Sequence, residues 1–246
     1  MSDTLTIERR FRGPARSGNG GYTAGSLASR VPGAHATVEV TLRRPPPLET
    51  AMVVQHASTT TLLDGETLVA DARTVADQLL AVDEVAADVA AEAMASYAGL
   101  RSHPFPACFA CGTDRADGDG LQIFPGPVPD VIDTVASLWV PHASLAESGD
   151  VVDHGLERVG VGTTWAALDC VGGWSEDLEG RPMVLGRMTA RVDALPVVGE
   201  PHVVVGARRG VDGRKAFTAS TLYDSDGRVV ATAQHVWIAV DPSAFN

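Results

Sequence analysis

One order of elements occurs twice in this chain, and that repetition constrains the fold more tightly than composition does. A helix candidate at Gly20 to Ser29 is followed by the alternating segment Ala36 to Leu42 and the break Pro45-Pro46-Pro47. Strand-like segments Met52 to Leu63 and Leu68 to Ala76 come next, joined by Asp64-Gly65, a dipeptide that tolerates positive φ and so favours a hairpin. The order returns downstream as a helix candidate Gly162 to Gly172, a strand Met188 to Leu195 and a break at Pro196. Strands His202 to Arg208 and Ala216 to Tyr223, the turn Asp226-Gly227 and the strand Val229 to Val240 complete the second copy. The offset is constant at two places: Val53-Val54 against Val203-Val204, and Leu42 against Val192, are each 150 positions apart (53 to 203, 42 to 192). Few residues match between the copies, so the repeat is one of element order and turn position.

Each copy reads as a helix and then three or four antiparallel strands. That is the α+β layer solution in which the helix buries one stripe against an alternating sheet. The Ala-rich, acidic stretch Val75 to Ala98 reads as a connecting helix, and Arg101 to Pro129, rich in Pro, Gly and Asp, as loop. The division expected is an N-terminal unit over 1–76, a linker over 77–107 and a C-terminal unit over 108–246.

Charge and cysteine content remove several function classes. With 19 basic and 31 acidic residues the net charge is −12, which disfavours nucleic acid and anionic membrane surfaces as partners. No apolar run reaches the roughly 18 residues of a membrane helix. Three cysteines, Cys108, Cys111 and Cys170, are too few for a disulfide framework, and the N-terminal stretch lacks the apolar core of a signal peptide, so a cytoplasmic protein is expected.

Definite residues carry a resemblance. The segment Cys108-Phe109-Ala110-Cys111-Gly112, followed by Asp119-Gly120-Leu121-Gln122-Ile123-Phe124, resembles the CF-x-CG and GL-x-x-F entry to the first strand of many hotdog-fold thioesterase-like proteins. Ala166-Ala167-Leu168-Asp169 with Gly173-Trp174 is similar to that family's central helix, an apolar run ending in an aspartate. The resemblance extends over about Gly13 to Val240 and implies a double hotdog, two tandem units each wrapping a helix in antiparallel sheet.

The family's His-Gly-Gly triplet opens the helix nine positions before the aspartate, and each copy here keeps one half of that pattern. Nine positions before Asp169 stands Gly160, followed by Val161 and Gly162. Asn19-Gly20-Gly21-Tyr22 looks like the triplet with Asn for His, but nine positions on stands Ala28. The resemblance therefore implies one composite site, with Asp169, Asn19, Gly21 and Tyr22 catalytic and Gly20, Thr164 and Trp165 binding substrate. The complementary pair, Ala28 with Gly160 to Gly162, is expected to be inert.

The chemistry follows from the residue types. A helix N-terminus carries unpaired N–H groups and about half a positive charge, and glycines there let a carbonyl oxygen approach. The N–H groups of Gly21 and Tyr22 would then hold a tetrahedral oxyanion, while Asp169 acts as general base or as nucleophile. Plainer readings stand beside these. Asn19 and Ser17 are good N-caps, Gly20-Gly21 suits a tight turn, and Asp169 suits a helical acid satisfied by backbone.

The activity expected is acyl thioester hydrolysis, with coenzyme A or acyl-carrier protein as the thiol part. The alternatives are a non-catalytic acyl-binding or scaffold protein and, more remotely, an acyl dehydratase. Homo-oligomers of the fused chain stay open. Arg43-Arg44, Arg208-Arg209 and Arg214-Lys215 are candidates for nucleotide phosphates. No cofactor and no metal are expected, because Cys108 and Cys111 have no second C-x₂-C, and His103 and His142 would complete a site only by coincidence of fold. His154, after Asp153, is a further site candidate. The chain has no G-x-S-x-G elbow and no complete dinucleotide fingerprint.

Overall fold

A computed structural model of the chain describes residues 3–33, 36–147 and 155–241. The elements are β1 (Thr4–Leu5), α1 (Gly20–Ala28), β2 (Thr37–Leu42), β3 (Met52–His56), β4 (Thr60–Asp64) and β5 (Thr67–Val75). There follow α2 (Ala87–Ala93), β6 (Gly126–Pro127), β7 (Thr134–Trp139), α3 (Val161–Trp174), β8 (Met183–Val192), β9 (His202–Asp212), β10 (Lys215–Tyr223) and β11 (Val229–Ala239). The strands form one antiparallel sheet of order β1-β3-β4-β5-β2-β8-β11-β10-β9-β7-β6.

The order reads alike outward from the centre. β2, β5, β4 and β3 on one side answer to β8, β11, β10 and β9 on the other, and each series is preceded in the chain by a helix, α1 or α3. The constant offset falls on matching strands: Leu42 and Val192 lie in β2 and β8, Val53 and Val203 in β3 and β9. The halves join where β2 pairs with β8, Val38 opposite Ala190 and Val40 opposite Met188.

Both helices lie against this sheet and against each other. Every residue of α3 from Thr163 to Trp174 is buried, so the helix is enclosed all round instead of turning one face to solvent. Large side chains such as Trp165 and Leu168 contribute about 1.5–3 kcal/mol each by complete burial. Close contact with α1 depends on absent side chains. A Cβ on Gly25 would stand 2.6 Å from Trp165 Cβ, and one on Gly21 would stand 2.7 Å from the Trp165 carbonyl oxygen.

Sheet burial explains the sequence patterns. β2 alternates because its second face meets solvent, as expected for an uncovered antiparallel strand. His202 to Ala207 in β9 are buried without alternation, because residues 76–86 and α2 cover the far face. Val82, Val85 and Ala90 pack there on Val203, Val205, Ala219 and Tyr223.

Four expectations about elements are corrected. Met52 to Leu63 is a hairpin, not one strand: the small residues Ala57-Ser58-Thr59 turn the chain, and Ala57 N–H bonds Thr59 O at 3.0 Å. The stretch Val75 to Ala98 is helical only from Ala87, because 76–86 is docked on the sheet, where Val82 N–H donates to Thr221 Oγ1 at 2.8 Å and its carbonyl accepts from the Tyr223 hydroxyl. β8 begins at Met183, five residues before the expected Met188, and β7 lies where no strand was assigned.

Candidate functional site

The N-terminus of α1 meets the middle of α3, and the meeting is polar. Asn19 caps α1: its Oδ1 accepts from Tyr22 N–H at 2.8 Å, as a good N-cap does. Gly21 N–H donates to Asp169 Oδ2 at 2.8 Å, across 148 residues of sequence. Asp169 is 2 % exposed, and its Oδ1 is buried without a hydrogen-bond partner. Burial pushes the carboxyl up from 3.8 to about 7, against the opposing pull of the Gly21 N–H.

A cavity of about 260 Å³ opens beside this pair. Asn19, Gly20, Asp169, Cys108 and Cys170 form one end, while Leu42, Phe105, Met183, Leu185, Trp237 and Ile238 supply an apolar wall. Arg43 and Arg44, both exposed, stand at the rim. Arg43 is held by Asp71, Nε to Oδ1 at 2.6 Å.

These contacts redistribute the roles expected of the helix terminus. Both donors assigned to an oxyanion are occupied, Gly21 N–H by Asp169 and Tyr22 N–H by Asn19. Gly20 N–H, first of the helix, has no partner among the described residues and borders the cavity. The glycines are also not simply open: Gly21 is the point where α1 rests on α3. Tyr22 does not border the cavity; its ring stacks on Phe11 with centroids 3.8 Å apart and meets Phe109 edge-on.

Thr164 and Trp165 are likewise elsewhere. Thr164 Oγ1 bonds the Gly160 carbonyl at 3.0 Å inside α3, and Trp165 faces a different cavity of about 370 Å³ with Ala28, Val161 and Val192. This second cavity is the counterpart of the first. Ala28 lies nine positions after the N-cap of α1, as Asp169 does after that of α3, and the Glu147 carboxylate lies beside Gly160 at the start of α3. His154 falls outside the described residues. Arg208 pairs with Glu176 at 2.8 Å, Arg214 bonds the Ala239 carbonyl at 3.1 Å, and neither pair Arg208-Arg209 nor Arg214-Lys215 borders the Asp169 cavity.

The fold also gathers residues that sequence spacing left apart. Cys170, next to Asp169 on α3, joins Cys108 and Cys111, and the three sulfurs lie within 4.8 Å of one another. Cys108 and Cys170 Sγ are 3.6 Å apart, with Asn19 Nδ2 at 3.6 and 4.0 Å from them. Hydrogen bonds with the Cys111 and Cys170 thiols hold the Cys108 thiol well below its ordinary value. His103 accepts from Phe105 N–H on Nδ1 at 2.9 Å, which leaves Nε2–H to donate to the Cys111 carbonyl at 3.1 Å. Phe105, Met183 and Trp237 gave no sequence signal for a site. Cys170 gave one only by adjoining Asp169.

No family model and no curated protein matches the chain by sequence. Solved structures match over nearly its whole length. A Mycobacterium avium subspecies paratuberculosis tesB protein superposes with TM-score 0.57 at 15% identity, covering 93% of this chain and 89% of its own. A Novosphingobium aromaticivorans protein, provisionally called a thioesterase, gives 0.62 at 12%, covering 97% and 95%. An Alicyclobacillus acidocaldarius protein of unknown function with a hotdog fold gives 0.53 at 14%, covering 97% and 93%. The fold is the α+β hotdog fold, the fold named for the Alicyclobacillus protein, and the Novosphingobium neighbour carries a provisional thioesterase name. No described helix is long and apolar enough to cross a membrane.

Proposed function

We propose that this chain is a double hotdog, with units over 1–76 and 108–246, that hydrolyses acyl thioesters at one composite site between them. The observation that carries the reading is the Gly21 N–H to Asp169 Oδ2 bond, which puts the only buried acid of α3 at the terminus of the other half's helix.

A thioester carbonyl entering the cavity meets Gly20 N–H as its free donor, aided by the positive end of α1. A donor of this kind lowers the barrier by about 2.7–4 kcal/mol once charge develops on the oxygen. Asp169 supplies the second function. With a carboxyl near 7 it is partly ionised at neutral pH and basic enough to draw a proton from water, and its partnerless Oδ1 is the free oxygen for that task. Water adds to the carbonyl carbon, the C–S bond breaks, and the products are carboxylic acid and free thiol. Attack by Asp169 on the carbonyl itself, through an anhydride that water opens, uses the same oxygen.

Asn19 fixes the helix terminus and has no titratable proton to give, so the leaving thiolate takes its proton from solvent. The apolar wall suits a hydrocarbon acyl group, and Arg44, at the rim, suits the phosphates of coenzyme A or a carrier-protein arm. The decisive experiment is a screen of acyl-CoA esters of graded length, read as free thiol. Turnover abolished by Asp169→Asn supports the reading. Binding without turnover, weakened by substitutions of the cavity wall, would favour the acyl-binding alternative.

A further inference from the structure

The cysteine cluster has a shape and a lining that packed thiols alone do not require. We propose that Cys108, Cys111 and Cys170 form a three-thiolate site for zinc(II), with its fourth position toward the Asp169 cavity. The sequence-based expectation of no metal rested on the want of further ligands beside the C-x₂-C pair, and the fold provides one from α3.

The distances suit the ion. Tetrahedral zinc at about 2.3 Å from each sulfur sets the sulfurs about 3.8 Å apart. Cys108 and Cys170 stand at 3.6 Å, and no pair exceeds 4.8 Å, so side-chain shifts of about 1 Å or less close the triangle. The turn Cys108 to Gly112, closed by Gly112 N–H to Cys108 O at 2.9 Å, holds the two loop sulfurs in place, while α3 holds the third.

The surroundings suit the charge. Three thiolates and one Zn²⁺ leave a net charge of −1 in a buried site, which needs N–H donors around the sulfurs. Asn19 Nδ2 approaches two of them, and Trp174 Nε1 is a second buried N–H near the cluster with no hydrogen-bond partner of its own. Soft sulfur ligands exclude magnesium and calcium as the fitting ions.

The fourth position is open. Both ring nitrogens of His103 are already engaged, and no carboxylate oxygen joins the three sulfurs in the group of ligand atoms within 4.8 Å of one another among the described residues. Cys108 and Cys170, by contrast, border the cavity, so water or a ligand there completes the tetrahedron. Loading is Zn²⁺ displacing three protons from three thiols, with no change of oxidation state. This inference does not rest on thioester hydrolysis.

The test uses the full chain, reduced and stripped of metal with a chelator. Zinc titrated against a competing chromophoric chelator should bind at one equivalent per chain, release two to three protons and raise the melting temperature. Cobalt(II) in its place should give thiolate charge-transfer absorption and the strong visible bands of a tetrahedral site. Cys170→Ala and Cys111→Ala should each weaken zinc binding at least 100-fold. Stoichiometry well below one, or a cobalt spectrum without thiolate bands, would overturn the proposal, and neither readout depends on a variant folding. So would Cys170→Ala binding zinc within threefold of the parent.

Discussion

Gly21→Ala tests the contact on which the composite site depends. Its added Cβ would press directly on Asp169 Cβ and sit 2.7 Å from the Trp165 carbonyl oxygen and 3.0 Å from Asp169 Cγ, where ordinary contacts are about 3.4–4 Å, so α1 must retreat from α3 by roughly 1–1.5 Å. Overpacking of this kind costs about 1–3 kcal/mol. In a protein of this size that lowers the melting temperature by roughly 2–4 °C per kcal/mol. The same retreat stretches the 2.8 Å bond from Gly21 N–H to Asp169 Oδ2, a bond to a charged acceptor worth about 1.5–3 kcal/mol. That bond favours the ionised carboxylate, so its loss moves the carboxyl further above 7, by about one to two pH units. The assay is the pH dependence of kcat/KM for an acyl-CoA ester beside thermal melts at each pH. The acidic limb should move upward in the variant, with activity at pH 7 down about 5- to 50-fold. A variant that melts within 1 °C of the parent, with an unmoved acidic limb, would refute the contact and the mechanism built on it.

Asp169→Asn should lower kcat by at least 10³-fold, measured by thiol release. It should also stabilise the protein at alkaline pH. The folded carboxyl titrates near 7 and the unfolded one near 3.8, so the native state binds the extra proton between those values. This group's contribution is therefore lost as pH rises from about 4 to 7. Urea melts at pH 8 should find the Asn variant more stable by about 1–3 kcal/mol, and a less stable variant would show that Asp169 is not desolvated as described. Ala28→Ser, in the second cavity, should leave turnover within twofold, since no α3-type acid stands there. Residues 1–100 expressed alone should aggregate, because β2 loses its partner β8 and α1 its seat on α3; a soluble fragment with a cooperative melt would count against the fused arrangement.

Much of this protein was legible along the chain because its signals are local. The repeated order of helix and strands, the turns at Gly65 and Gly227, the cap formed by Asn19 and the acid borne on an apolar helix depend on residues a few positions apart. Such patterns report period, capping and turn chemistry, which act within one or two turns of helix or one hairpin. The half-patterns at Asn19 and Asp169 were readable for the same reason, and they do meet in space.

Misreadings arose where the outcome depended on which surface an element docks against. Residues 76–86 have helical composition but form no regular element, because the outer face of β9 and β10 takes up Val82 and Val85 and a side chain of β10 takes the Val82 N–H. Thr164 and Trp165 precede Asp169 by only a few positions, yet Trp165, one turn earlier along α3, lies at the other cavity. Gly21 is glycine for the sake of a neighbouring helix, and its N–H serves a carboxylate 148 residues away. Cys170 counted as an odd cysteine until α3 packed beside the loop of Cys108 and Cys111. Sequence alone determined the two helices of the repeat, the order in which helix and strands recur and the chemistry each could offer. The tertiary structure alone decided which offers meet, because helix rotation and sheet docking are set by the sum of many buried contacts and by no short stretch of chain.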